Sequence, residues 1–253
     1  MNDFHHALRY RVALGTRILA MQNCLGDILG HLSARIPGTN TMFIRCLGGD
    51  ERGLLYTDVS QVRTLNFERE SNEIGGYRVP IELPIHGEIY KEKTDVQSVL
   101  HAHPYHCLLA SIAGLNLRPI YGAYEPLSLG AALRGIPVYP RSVLIDRPAL
   151  ARDLIEVMGD RDCCLMYGHG ITVTGPSVEA ATLLALRLDL LAKITLEATR
   201  AGTSPRELSN EDLEAFAFVA EQGLQGAVSN AYEWTWNHYT QRVADTVGLP
   251  AEE

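Results

Sequence analysis

The chain has 253 residues, 46% hydrophobic and 21% charged, with a formal net charge of −8. That length and composition supply a full core and exclude global disorder. The acidic balance argues against nucleic acid or an anionic membrane surface as a general partner, but leaves room for a small anionic substrate held at a local positive site.

In chain order, the first predicted element is a helix over 6–29, where Leu8, Val12, Ile18, Leu25 and Leu29 recur at near-helical spacing. Gly30 then turns the chain into a strand that ends near Arg35, and Pro37 and Gly38 punctuate the loop that follows. Short strands are predicted near 41–47, 53–57 and 62–67, followed by a turn at Gly75 and Gly76. A helix runs from Pro84 to Lys93, a strand over 96–102 and a helix from Pro104 to about Ala113, with proline suited to the first helical turn. Residues 121–135 carry no clear period. A strand at 136–140, a helix at 147–158, strands at 162–167 and 171–174, a long helix from Pro176 to about Gly202, and helices at 209–223 and 230–246 complete the reading. Strands that alternate with helices yet also pair in hairpins predict helices packed around a mixed or antiparallel sheet.

No uninterrupted apolar run is long enough to span a bilayer, and the start of the chain lacks the basic-then-apolar pattern of a secretory signal. The five cysteines, Cys24, Cys46, Cys107, Cys163 and Cys164, form no C-x-x-C and no regular framework. Reduced, core-filling thiols in a cytoplasmic protein are the expectation.

The chemistry-bearing signal is His101-Ala-His103 at the end of the predicted strand, with Glu82 19 residues earlier and His169 set between Gly168 and Gly170. Side chains two apart on a strand share a face, so two imidazoles can meet one cation without bending the backbone. Three histidines and one acid suit a Lewis-acid metal. Spacing by itself leaves buried, hydrogen-bonded core histidines as the alternative.

The ordered set of Gly30, His31, Ser33 and Arg35, then Glu82 and His86, then Tyr90 and Asp95, then His101 and His103, and last His169 and Gly170 resembles the class II aldolase and adducin superfamily along nearly the whole chain. The resemblance implies a three-layer α/β/α single domain over 1–253, with a central, largely antiparallel sheet. It implies a divalent metal on His101, His103 and His169, with Glu82 either completing the site or moving protons. It further implies a homotetramer or larger assembly, with sites at subunit boundaries and the helices of 205–247 at an interface. The chain departs from the sugar-phosphate members. His31 stands where they carry asparagine, Asp58 falls in the turn that would hold phosphate, and Pro80 lacks an N–H just before the acid. The Gly-His-x-Ser-x-Arg entry is similar to a smaller branch that decarboxylates hydroxylated aromatic or related acids.

The expected function is therefore metal-dependent decarboxylation of a small hydroxylated aromatic or related dicarboxylic acid. The metal serves as electron sink and Glu82 as proton donor; a fourth-ligand or purely structural role for Glu82 stays open. Zinc is the first expectation, and manganese, cobalt and iron suit the same donors. His31, Ser33 and Arg35 are candidates for a second substrate carboxylate, arginine being suited to bidentate recognition. His86 is a candidate for orienting Glu82 or binding substrate, Tyr124 for walling a flat pocket, and Tyr239 for reaching a neighbouring subunit's site. The alternatives are an aldolase or epimerase, on a sugar phosphate or an unphosphorylated aldol substrate, and a non-catalytic adducin-like assembly module.

Overall fold

The computed structural model describes residues 2–68, 72–221 and 224–251. In chain order they form α1 (Asn2–Met21), β1 (His31–Arg35), β2 (Thr41–Arg45), β3 (Val62–Asn66), a small hairpin of β4 (Glu73–Ile74) and β5 (Tyr77–Arg78), α2 (Leu83–Glu92), β6 (Ser98–Ala102), α3 (Tyr105–Ile112), α4 (Pro126–Arg134), β7 (Val138–Tyr139), α5 (Pro148–Met158), β8 (Cys163–Met166), β9 (Gly170–Gly175), α6 (Val178–Arg200), α7 (Asn210–Glu221) and α8 (Leu224–Val247).

Seven strands make one sheet in the order β3-β2-β1-β6-β9-β8-β7. Every pairing is antiparallel except β7 with β8. The central strands are buried on both faces, so alternate residues feed two separate cores. Leu32, Leu100, Cys163 and Val173 face one core, shared with residues of α1, α3, α4 and α6. Ile44, Val99, Cys164 and Met166 face the other, shared with α2 and α5. The predicted α/β/α layering with a largely antiparallel sheet is therefore the observed one. Helix α8 lies against α1 and α6, where Val243 is buried with Leu14 and Ile18. All five cysteines are free and buried, and the neighbours Cys163 and Cys164 fill opposite cores. Among the described residues no helix is long and apolar enough to cross a membrane.

Two predicted elements are corrected and one unassigned stretch gains a helix. The first helix stops at Met21, because Asn23 takes a left-handed φ of 57°, a conformation that ends helices and that asparagine tolerates. Residues 53–57 are not a strand: Leu54–Tyr56 form a 3-10 turn, and the Leu54 N–H donates to Asp27 O. The open side of β2 is taken by β3, which leaves that segment no sheet partner. Residues 126–134, without clear period in the sequence, form α4, with proline at its start. The predicted end of the 209–223 helix, residues 222 and 223, lies outside the described residues.

Candidate metal centre and active site

Strands β1, β6 and β9 are neighbours at the middle of the sheet, and their register collects the histidines. His31 pairs with His101 across β1 and β6, and His101 pairs with Thr172 across β6 and β9. His169 sits in the tight turn between β8 and β9, beside the end of β6. Two glycines make that placement necessary. Gly168 has a φ of 58°, the left-handed region. A Cβ on Gly170 would lie 2.2 Å from the Ala102 carbonyl oxygen and 2.8 Å from His103 Cδ2. The turn is tied down by the Gly168 N–H donating to Ser111 Oγ and by Ser142 Oγ donating to Gly168 O. His103 lies one residue beyond β6, and its N–H donates to Cys24 O.

Glu82 is the residue just before α2 and reaches the same point from the covering layer. Glu82 Oε2 lies 3.1 Å from His101 Nε2 and 3.6 Å from His169 Nε2, and the His101 and His103 Nε2 atoms are 3.0 Å apart. Ligand-type atoms of Glu82, His101, His103 and His169 all fall within 4.8 Å of one another. Donors about 2.1 Å from a tetrahedral cation sit about 3.4 Å apart, so this spacing fits a divalent ion. His101 and Glu82 are buried, whereas His103 and His169 are only partly so, which leaves one side of the cluster open to a substrate. Nδ1 of His101 and of His169 is buried without a hydrogen-bond partner among the described residues, so Nε2 is the ring nitrogen turned to the common centre. Ring-to-ring packing at 4.8 Å holds both imidazoles in place of the hydrogen-bonded second partner usual at metal sites.

The electrostatics suit a cation. Burial, reinforced by His101 and His169, pushes the His103 imidazolium down to about 3, so the ring is neutral and has a lone pair to give. Burial alone raises the Glu82 carboxyl, but hydrogen bonds from His101, His169 and the Ile145 N–H outweigh it and hold the group well below the usual carboxylate range. The Ile145 N–H donates to Oε1 at 2.8 Å, which leaves Oε2 for chemistry. Those contacts hold Glu82 in its ionised form.

The remaining sequence candidates divide. His31 adjoins the cluster, its ring centroid 5.2 Å from that of His101. His86 is fully buried and does not hydrogen-bond Glu82. Its Nε2 meets His31 Nδ1 at 2.6 Å and its Nδ1 meets Ser33 Oγ at 2.6 Å, so neither His86 nor Ser33 is placed to touch substrate. Arg35 needs a firmer correction. Its guanidinium donates to the carbonyls of Val96, Tyr90 and Lys93 and stacks on the rings of Tyr90 and Phe67. Backbone carbonyls left open at the end of α2 capture it, as helix C-termini commonly capture cations, so it is not free to bind a carboxylate. Tyr124 is exposed, with its ring against Tyr121. Tyr239 packs beside Leu14, Ile18 and Val243 within this chain. The structure brings neither tyrosine to the cluster.

Asp58 accepts from Arg17 and Arg52 and from the Ala251 N–H, so a structural acid fills that turn. Two participants had no role in the sequence reading. Tyr90 is found by continuing the i, i+4 stripe of Glu82 and His86, whereas the Ile145 backbone N–H left no sequence signal.

The family described as class II aldolase and adducin N-terminal domain matches residues 11–196. The chain is 38% identical over 244 residues to the 3,4-dihydroxyphthalate decarboxylase of Arthrobacter keyseri, covering 95% of each protein. It is 37% identical over 246 residues to the enzyme of the same name from Terrabacter sp. (strain DBF63), covering 96% of this chain and 100% of the relative. Among solved structures, an aldolase II superfamily protein from Pseudomonas syringae superposes with a TM-score of 0.77 at 22% identity, over 96% of this chain and 94% of that one, a likeness of fold.

Proposed function

Because the chain belongs to the class II aldolase and adducin family, we propose that it is a metal-dependent carboxy-lyase for a small hydroxylated aromatic dicarboxylic acid of the 3,4-dihydroxyphthalate kind. The observation that carries this reading is the convergence of His101, His103, His169 and Glu82 in a chain that aligns nearly end to end with decarboxylases. The three Nε2 atoms would hold the cation, which supplies a Lewis acid for negative charge that develops on an oxygen next to the breaking C–C bond.

Glu82 Oε2 takes the proton of the substrate hydroxyl next to the leaving carboxylate. It then delivers that proton to the ring carbon bearing the carboxylate. The C–C electron pair passes toward the ring oxygen, CO2 departs, the phenolate re-forms, and a solvent proton completes the phenol. Ile145 keeps Glu82 oriented through both transfers. His103 and His169, on the open side, stand where substrate enters. Zinc suits a compact set of three imidazoles first, with manganese, cobalt and iron compatible. We further place the protein in the cytoplasm, with one domain spanning 1–253, as a homotetramer or larger assembly whose C-terminal helices lie at an interface; from there Tyr239 and its neighbours approach the partner's site.

The test is CO2 release from a panel of ortho-hydroxy aromatic acids that includes 3,4-dihydroxyphthalate, with metal-stripped protein as control. Metal-dependent CO2 release is the expected result. Carbonyl fragments from an aldol substrate, with no CO2 from any acid, would replace this reading with an aldolase; a purified protein that holds no metal would replace it with an assembly module.

A further inference from the structure

Helix α2 and strand β1 have nearly matched pitches. Four helical residues rise about 6 Å and two strand residues about 6.6 Å. His86 and Tyr90 on α2 therefore interdigitate with His31 and Ser33 on β1. The result is an unbroken buried row: Tyr90 OH lies 2.8 Å from Ser33 Oγ, Ser33 Oγ lies 2.6 Å from His86 Nδ1, and His86 Nε2 lies 2.6 Å from His31 Nδ1. Tyr90, Ser33 and His86 have at most 1% exposure, so no water is at hand to rescue a donor left without an acceptor.

That constraint sets the direction of the row. If protons pointed from His31 toward Tyr90, the Ser33 hydroxyl would have to donate to Tyr90 or to the Val99 carbonyl at 3.4 Å, beyond normal O–H···O range. In the first case the Tyr90 proton would lack an acceptor among the described residues; in the second, Tyr90 could still donate to Ser33 Oγ, but the Ser33 proton would be spent on a contact too long for a good bond. In the opposite direction every donor is used. Tyr90 donates to Ser33, Ser33 donates to His86 Nδ1, and His86 Nε2–H donates to His31 Nδ1. His31 must then carry its own proton on Nε2, which has no partner among the described residues, on a residue that keeps 7% exposure and whose ring packs beside that of His101.

We infer that His31 presents a fixed Nε2–H donor to a carboxylate of the substrate, with Tyr90, Ser33 and His86 as positioning residues that set its tautomer. The inference rests on the decarboxylase reading only for the identity of the acceptor. A neutral donor here binds the anionic group without adding a positive charge beside the cation site.

The test uses the full chain labelled with 15N-histidine and loaded with zinc as a diamagnetic probe. Long-range 1H–15N correlation should show both His31 and His86 protonated on Nε2 and bare on Nδ1. Ser33→Ala should erase that preference at His31 and raise KM for the acid about tenfold, the size of one hydrogen bond to a charged group, with kcat held within about threefold. Ser33→Thr, which keeps the hydroxyl, should restore both. A bare Nε2 on His31 in the unaltered protein, or an unchanged His31 tautomer in Ser33→Ala, overturns the inference. A loss in kcat with KM unchanged also overturns it, because the donor would then act on the transition state. If the unaltered protein releases no CO2 from any acid, the functional reading fails, and the tautomer measurement still decides the relay.

Discussion

Replacing Glu82 with glutamine separates its two roles sharply. Glutamine keeps the shape, and its amide oxygen can accept the Ile145 N–H that Oε1 now accepts at 2.8 Å. What disappears is the charge and basicity of Oε2, 3.1 Å from His101 Nε2. The three imidazoles remain, so a divalent ion stays bound at saturating concentration, with affinity reduced about 10–100-fold as when a supporting partner of a metal shell is lost. A positioned general acid–base contributes about 10²–10⁴-fold, so kcat for CO2 release should fall by that factor. Metal content by mass spectrometry and CO2 release on one preparation read the two effects separately. Turnover at the unaltered rate would refute the proton role, and complete loss of metal would show that Glu82 is an indispensable ligand instead.

Further predictions concern other parts of the architecture. Gly170→Ala pushes a methyl into the Ala102 carbonyl and the His103 ring, so it should lower stability by about 1–3 kcal/mol and weaken metal binding, read by thermal melts and metal titration; an unchanged affinity would mean that the turn does not fix the ligands. Arg35→Ala should cost about 1–3 kcal/mol of stability through its lost carbonyl hydrogen bonds and ring stacking while KM stays unchanged. A raised KM with full stability would return Arg35 to the substrate site. Stripping the metal should abolish CO2 release and lower the melting temperature, since an ion at one hundred times its Kd stabilises the folded state by about 2.7 kcal/mol; zinc or manganese added back should restore both, and a melt indifferent to chelator would argue against a bound ion. Trp234 is 66% exposed on α8, and Trp234→Ala should shift the assembly to smaller species on dilution in sedimentation experiments. An unchanged mass would remove this part of α8 from the interface.

The structure also explains why residues with equally plausible chemistry meet different fates. His101 and His103 were legible because strand alternation is local: once the strand is fixed, so is the face. His169 needed only the glycines at its sides, one for a left-handed φ and one for close approach to β6. Arg35 lies on the same strand as His31 and Ser33, which made all three equal candidates for a carboxylate. Its capture by the end of α2 depends on how far that helix runs before β6 begins, a distance that no residue near Arg35 encodes. Residues 53–57 read as a strand because their composition suits one, but strand formation needs a free sheet edge, and β3 occupies it.

By itself the sequence determined the layered fold and the order of nearly all its elements, because periodicity and glycine placement act over a few residues, and the family resemblance singled out the four residues that gather in one cluster where spacing alone left core histidines open. Only the tertiary structure decided that the Nε2 atoms and the Glu82 carboxylate meet at one point, that Glu82 is held ionised by His101, His169 and Ile145, and that Tyr90, Ser33, His86 and His31 form one directed row. Those outcomes depend on register between strands distant in sequence and on the match of helix to strand pitch, and such long-range geometry is fixed only when the layers pack.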